Sequence, residues 1–163
     1  RYAPTDDLRA RAAEFHHTYH TLGNLAPLPN LSLERMTFNT YRGTHPGWRD
    51  AFPIFLQNLR LALLDDPAAD PTLCRLVARN AAAFSEFRGP DGLAEFAQRL
   101  DLDDYLDAAT GLPLPLYSPN AHFATQSRED YLAAAEHYLT VATELIQRRA
   151  ARMMARLQEL LAE

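Results

Sequence analysis

Four of the six histidines in this chain fall within its first 45 residues, and three of them, His16, His17 and His20, crowd into about one and a half turns of one helical pattern. His16 and His20 are four apart, the spacing at which two imidazoles on one helix face hold zinc. Zinc takes three or four donors, and His45, Asp50 or His122 would have to fold back to complete the set, though no spacing commits any of them. The Glu of a His-Glu-x-x-His helix is absent, so no cofactor is expected, and zinc on His16 and His20 is the exception that needs a third ligand. The other chemistry is proton transfer. Arg11 or Arg42 would stabilise the charge on a phosphorane-like centre, while His16, His17 or His20 moved a proton in phosphodiester cleavage. That reading requires the groups to converge within hydrogen-bond reach in an accessible cleft. The structural reading of the same cluster has imidazoles donating to the last carbonyls of a helix and packing beside Tyr19. Asn24 then takes the post-helix position, and Pro27 and Pro29 lock a connector over Trp48.

The elements that position these residues follow from composition and periodicity. The 163 residues are 47% apolar and 23% charged, which suits one domain of ordinary size. There are 27 Ala and 26 Leu against two Val and two Ile, a bias that excludes a sheet-rich protein and predicts an all-α bundle of about six helices. All sixteen basic residues are arginine, and the formal charge of −5 makes chain-wide nucleic-acid binding an unexpected role. The arginines are spread over all the helices, as a GC-rich bacterial genome would leave them. No apolar run reaches the length of a membrane span, and the single Cys74 cannot form an internal disulfide, so a cytoplasmic setting is expected.

A first helix starts near Thr5 or Asp6 and turns Leu8, Ala12, Phe15, Tyr19 and Leu22 to the core until Gly23-Asn24 stops it. Leu25 to Asn30 is an extended connector, Ser32 to Met36 adds a short turn, and Arg42 to Gly47 is a loop. A second long helix carries Phe52, Phe55, Leu56, Leu59 and Leu63, with Pro53 favouring a start close to Asp50. Asp70-Pro71 caps a third that runs through Leu73, Leu76, Val77, Phe84 and Phe87. Two shorter helices hold Leu93, Phe96 and Leu100, then Leu102, Tyr105 and Leu106, and Leu112 to Asn120 is an extended, proline-rich segment packed on the helices.

From Ser127, three residues before Asp130 in a capping-box arrangement, to Glu163 there is neither Gly nor Pro, which predicts one helix over about 127–163. Leu132, Leu139, Ile146, Met153 and Leu160 recur every seven residues along it. Such a helix is roughly 55 Å long against a compact diameter of about 40 Å, so about ten residues should overhang. Met153, Met154, Leu157, Leu160 and Leu161 on that end would face water unless a second copy or a protein partner covers them. The arginines 148, 149, 152 and 156 read as the solvated face behind this seam.

Three resemblances bear on function. Arg11 and His16 have the Arg-x-x-x-x-His spacing of the HEPN-type helical ribonucleases. Tyr19 to Asn30, YHTLGNLAPLPN, is similar to a GNLTLL-type segment in the second half of some HNH nuclease domains. The broadest runs over FHHTYHTLGNLAPLP (Phe15 to Pro29), NTYRG (Asn39 to Gly43) and WRDAFPIFL (Trp48 to Leu56). Together these resemble a family of uncharacterised bacterial proteins with a YHTIGNFIPVP-like phrase, an Arg-Gly loop and a Trp/Asp/Phe-rich helix. Here Tyr19, His20, Thr21, Gly23, Asn24, Pro27, Pro29, Arg42, Gly43, Trp48 and Asp50 carry the motif. Leu25 departs from the family's aromatic, and Leu28 from its Val or Ile. The resemblance implies a bacterial source and this fold, and it transfers no activity. Two function classes therefore stand. One is a self-associating or protein-binding helical module, with a defence or toxin–antitoxin system as its setting. The other is a ribonuclease or other nuclease built on the histidine cluster.

Overall fold

The computed structural model describes residues 4–19, 21, 24, 26–29, 31–43, 52–116 and 127–162. His20, Leu22, Gly23, Trp48 and Asp50 lie outside them, as do the zinc-completing candidates His45 and His122, and of Tyr19, Arg42 and Gly43 only the backbone is described. Among the described residues the fold is all-helical, with seven α-helices and a long C-terminal one: α1 (Asp6–Tyr19), α2 (Phe38–Gly43), α3 (Phe52–Leu63), α4 (Pro71–Arg79), α5 (Ala81–Phe84), α6 (Gly92–Arg99) and α7 (Arg128–Ala162). Packing divides the chain into two compact units, one of Arg1–Leu25 with Ser118–Glu163 and one of Ala26–Tyr117.

The second unit is built around phenylalanine. Phe55, Leu56 and Leu59 of α3 are fully buried, and Pro53 sits at its second position, where a missing N–H costs nothing. Phe38 of α2 packs on Phe55 and Phe84 at ring separations of 6.2 and 5.3 Å, and Phe84, Phe87 and Phe96 close a second aromatic cluster. Helix α2 itself was not expected. Thr37 starts it, its Oγ1 accepting from the Thr40 amide at 3.1 Å, and the helix takes in Arg42 and Gly43, which the sequence reading assigned to a loop. Just before it, Leu33 and Met36 exchange both backbone hydrogen bonds across Glu34 and Arg35, which adopt φ of 50° and 70°.

The third expected helix is broken into α4, α5 and a 3₁₀ turn at Ser85–Phe87. Asp70 caps α4 through the amides of Thr72 and Leu73, and the break falls at Asn80, whose buried side chain binds the Leu76 carbonyl and both backbone groups of Leu31. Where a helix around Leu102 to Leu106 was expected, only a 3₁₀ turn at Asp103–Tyr105 forms. The chain then doubles back, Leu106 bridging to Pro113, because Asp107 gathers the amides of Ala109 and Thr110 into a turn that Gly111 leaves at φ 65°.

In the first unit, α1 packs along α7. The inward face of α1 keeps the expected Leu8 and Phe15 but not Ala12. Leu8 and Thr18 are buried and Arg11 and Phe15 half-buried, whereas Ala12 is exposed, so the face steps through 8, 11, 15 and 18. Phe15 meets Tyr138 of α7 at 6.1 Å between ring centres.

Candidate functional site

Two features of the first unit carry chemistry or recognition. The first is set by Arg11, whose place on the inward face of α1 aims its guanidinium at α7. Its Nε donates to Glu136 at 3.0 Å and its NH1 to the Thr140 hydroxyl at 2.9 Å, while Thr140 donates onward to the Glu136 carbonyl at 2.9 Å. Both charged side chains keep over two fifths of their surface exposed, so the pair contributes at most about 1 kcal/mol, chiefly by fixing the register of the helices. Beside it lies a cleft of about 300 Å³ lined by Arg11, Glu14, Leu139, Thr140, Thr143, Glu144 and Gln147. The cleft is mixed in charge: Glu144 pairs with Arg148 at 3.3 Å, and Glu14 is exposed at its rim.

His16 and His17 do not line this cleft. His16 and His17 are exposed on α1, their rings edge to face at 6.1 Å. His16 lies five residues from Arg11, about 140° further round the helix, so the spacing that suggested a catalytic pair does not by itself put the two on one face. Among the described residues no three His, Cys, Asp or Glu side chains gather as a metal site. Thr21 and Asn24 continue from α1 through single turns, the Thr21 amide bonding to the Thr18 carbonyl and that of Asn24 to the Thr21 carbonyl, with Pro27 and Pro29 in the extended chain that follows.

The second feature is the far end of α7, whose capping box forms as expected. The Asp130 amide donates to Ser127 Oγ at 3.1 Å, and the Ser127 hydroxyl donates to the Asp130 carboxylate at 2.7 Å. Along α7 the buried residues are Ala135, Tyr138, Leu139, Ala142, Thr143, Leu145, Ile146 and Arg149. Beyond Arg149 nothing in the helix is buried. Met153 is half-covered, and Met154, Leu157, Leu160 and Leu161 are 46%, 44%, 69% and 78% exposed. Arg149 is a correction, because it was read with the solvated arginines and is only 2% exposed. Its place seven residues after Ala142 and fourteen after Ala135 puts it on the buried stripe.

Sequence reasoning missed the partners of Arg11. Glu136, Thr140, Thr143 and Gln147 share one face of α7 by their spacing, but nothing local to Arg11 announces residues 125 and 129 positions away. No protein-family model matches the chain, and no curated protein or solved structure does either. No described helix is long and apolar enough to cross a membrane.

Proposed function

We propose that this protein is an association module, in which α1 and the buried length of α7 form a scaffold and the last three to four turns of α7 are the docking element. The observation that supports this is the run from Ala150 to Ala162. It is continuous helix without one buried residue, yet it carries four large apolar side chains in the open. Met154, Leu157, Leu160 and Leu161 follow at steps of three, three and one, which gathers them on one face. Exposed apolar surface of this kind, rimmed by charge, marks association sites. The phrase from Phe15 to Pro29 supports membership of the bacterial family it resembles; the single cysteine fits the cytoplasm as the place, and a defence or toxin–antitoxin system is the setting we propose.

Phosphodiester cleavage asks for an arginine beside the imidazoles. Arg11 is held by Glu136 and Thr140 instead, and the exposed apolar end of α7 is the observation that favours association.

Light scattering of the intact chain against a Leu157→Glu/Leu161→Glu variant tests it. Both positions are exposed, so the variant should fold. The intact chain is expected to exceed the mass of one chain and the variant to equal it. Two equal monomers would overturn the reading.

A further inference from the structure

We infer that the cleft between α1 and α7 binds a small organic cation, a primary ammonium on a short alkyl chain. The inference goes beyond the association reading and does not depend on it, because the cleft ends at Gln147, before the unburied end of α7 begins. It starts from one hydroxyl.

A threonine covered within a helix can satisfy its hydroxyl on the carbonyl four residues earlier. Thr18 donates in this way to the Glu14 carbonyl at 3.0 Å, and Thr140 to that of Glu136 at 2.9 Å. Thr143 does not. It lines the cleft, it is only 5% exposed, and among the described residues its hydroxyl has no hydrogen-bond partner. A buried polar group without a partner is costly and rare, and in the wall of a cleft it points to a ligand.

The charges decide the sign of that ligand. Arg11 is balanced by Glu136, and Glu144 offers its Oε2 to Arg148, which leaves Oε1 for the cleft. Glu14, at the rim, has no ion-pair partner among the described residues, so one negative charge is left over. The Thr143 hydroxyl, the two carboxylates and the side-chain oxygen of Gln147 are acceptors for the three N–H groups of an ammonium. A bare metal ion is served less well, since among the described residues no three His, Cys, Asp or Glu side chains gather. Leu139, itself buried, gives an alkyl chain its apolar wall. The volume of about 300 Å³ is at the low end for ligand pockets, so the chain is short. Glu14 and Glu144 are exposed, so water screens them, and binding is weak and falls as salt rises.

The test titrates n-butylammonium chloride into the full chain and follows the backbone amide shifts by NMR. Saturable shifts are expected at Arg11, Glu14, Thr143 and Gln147. Affinity should fall about tenfold in Thr143→Val and in Glu14→Gln, the loss of one hydrogen bond or charge. Thr143→Val keeps the side chain's shape and removes only the unpartnered hydroxyl, so it should unfold at or above the native temperature. Tetramethylammonium chloride carries the same charge without an N–H and should not saturate the site. Equal saturation by tetramethylammonium, or unchanged affinity in Thr143→Val, would overturn the ammonium site. Saturation by sodium acetate and not by n-butylammonium would also overturn it and assign the cleft to an anion on Arg11. No saturable shift with any of the three salts would overturn it and leave the Thr143 hydroxyl to water. None of these outcomes touches the association reading, whose readout is mass.

Discussion

Asn80 does more for the second unit than its neighbours suggest. It lies in an Ala-rich stretch that reads as continuous helix, yet it is only 3% exposed. Its Nδ2 donates to the carbonyls of Leu76 and Leu31 at 2.8 and 3.0 Å, and its Oδ1 accepts from the Leu31 amide at 3.1 Å. One side chain thus ends α4 and fastens a segment 49 residues away. Replacing it by alanine leaves these backbone groups without that partner, and urea unfolding of Asn80→Ala should show a loss of about 1–3 kcal/mol. A helix-interior Asn can be seen in a sequence, but the carbonyl it will reach cannot. Tyr41 gives the pH counterpart. Burial first, and then the negative charge of Asp70, hold its phenol well above the ordinary value near 10. A raised folded value means that its contribution is complete below about pH 10 and is lost as pH rises through the folded value. The tyrosinate absorbance of Tyr41 should therefore appear well above the ordinary range near pH 10. Stability should fall above pH 10 in the native chain and fall less steeply in Tyr41→Phe.

Elements were legible where a local rule decided them. The Asp70-Pro71 start, the Ser127–Asp130 capping box and the early position of Pro53 in α3 all appear where turn and cap chemistry put them. Elements decided by distant packing were not. The inward face of α1 runs through Arg11 because Glu136 and Thr140 receive it there, and a hydrophobic count favoured Ala12. Helix α2, six residues long, is too short to show a period and exists by burying Phe38 and Tyr41. The start of α6 is similarly hidden. Gly92 is its first residue, and a Cβ there would collide with the Phe87 carbonyl, so only glycine lets the helix begin against the 3₁₀ turn. Gly92→Ala should cost about 1–3 kcal/mol, read by thermal or urea unfolding. An alanine at Gly89 meets no atom and is disfavoured only by its φ of 99°, so it separates crowding from backbone strain.

At the scale of the molecule, the Ala and Leu excess foretold an all-helical chain, and the absence of Gly and Pro after Ser127 foretold one long last helix. The division into two compact units was not foretold, because each unit uses the same amino acids and no composition shift marks the passage at Leu25 or Ser118. The candidate site was legible in its apolar half. Met154, Leu157, Leu160 and Leu161 were named from periodicity and are exposed, whereas the polar cleft beside Arg11 depends on residues in another helix. The proportions of the first unit have a mechanical consequence. Helix α1 has 14 residues and α7 has 35, and α7 is buried only as far as Arg149. Its last 13 residues form a stiff arm of about 20 Å rooted in packed side chains, so a tilt of about 5° at the root swings the tip by about 2 Å. Small repacking around Tyr138, Ile146 or Arg149 is thereby amplified into motion at Leu160 and Leu161, and a partner gripping the tip would have leverage on the core in return.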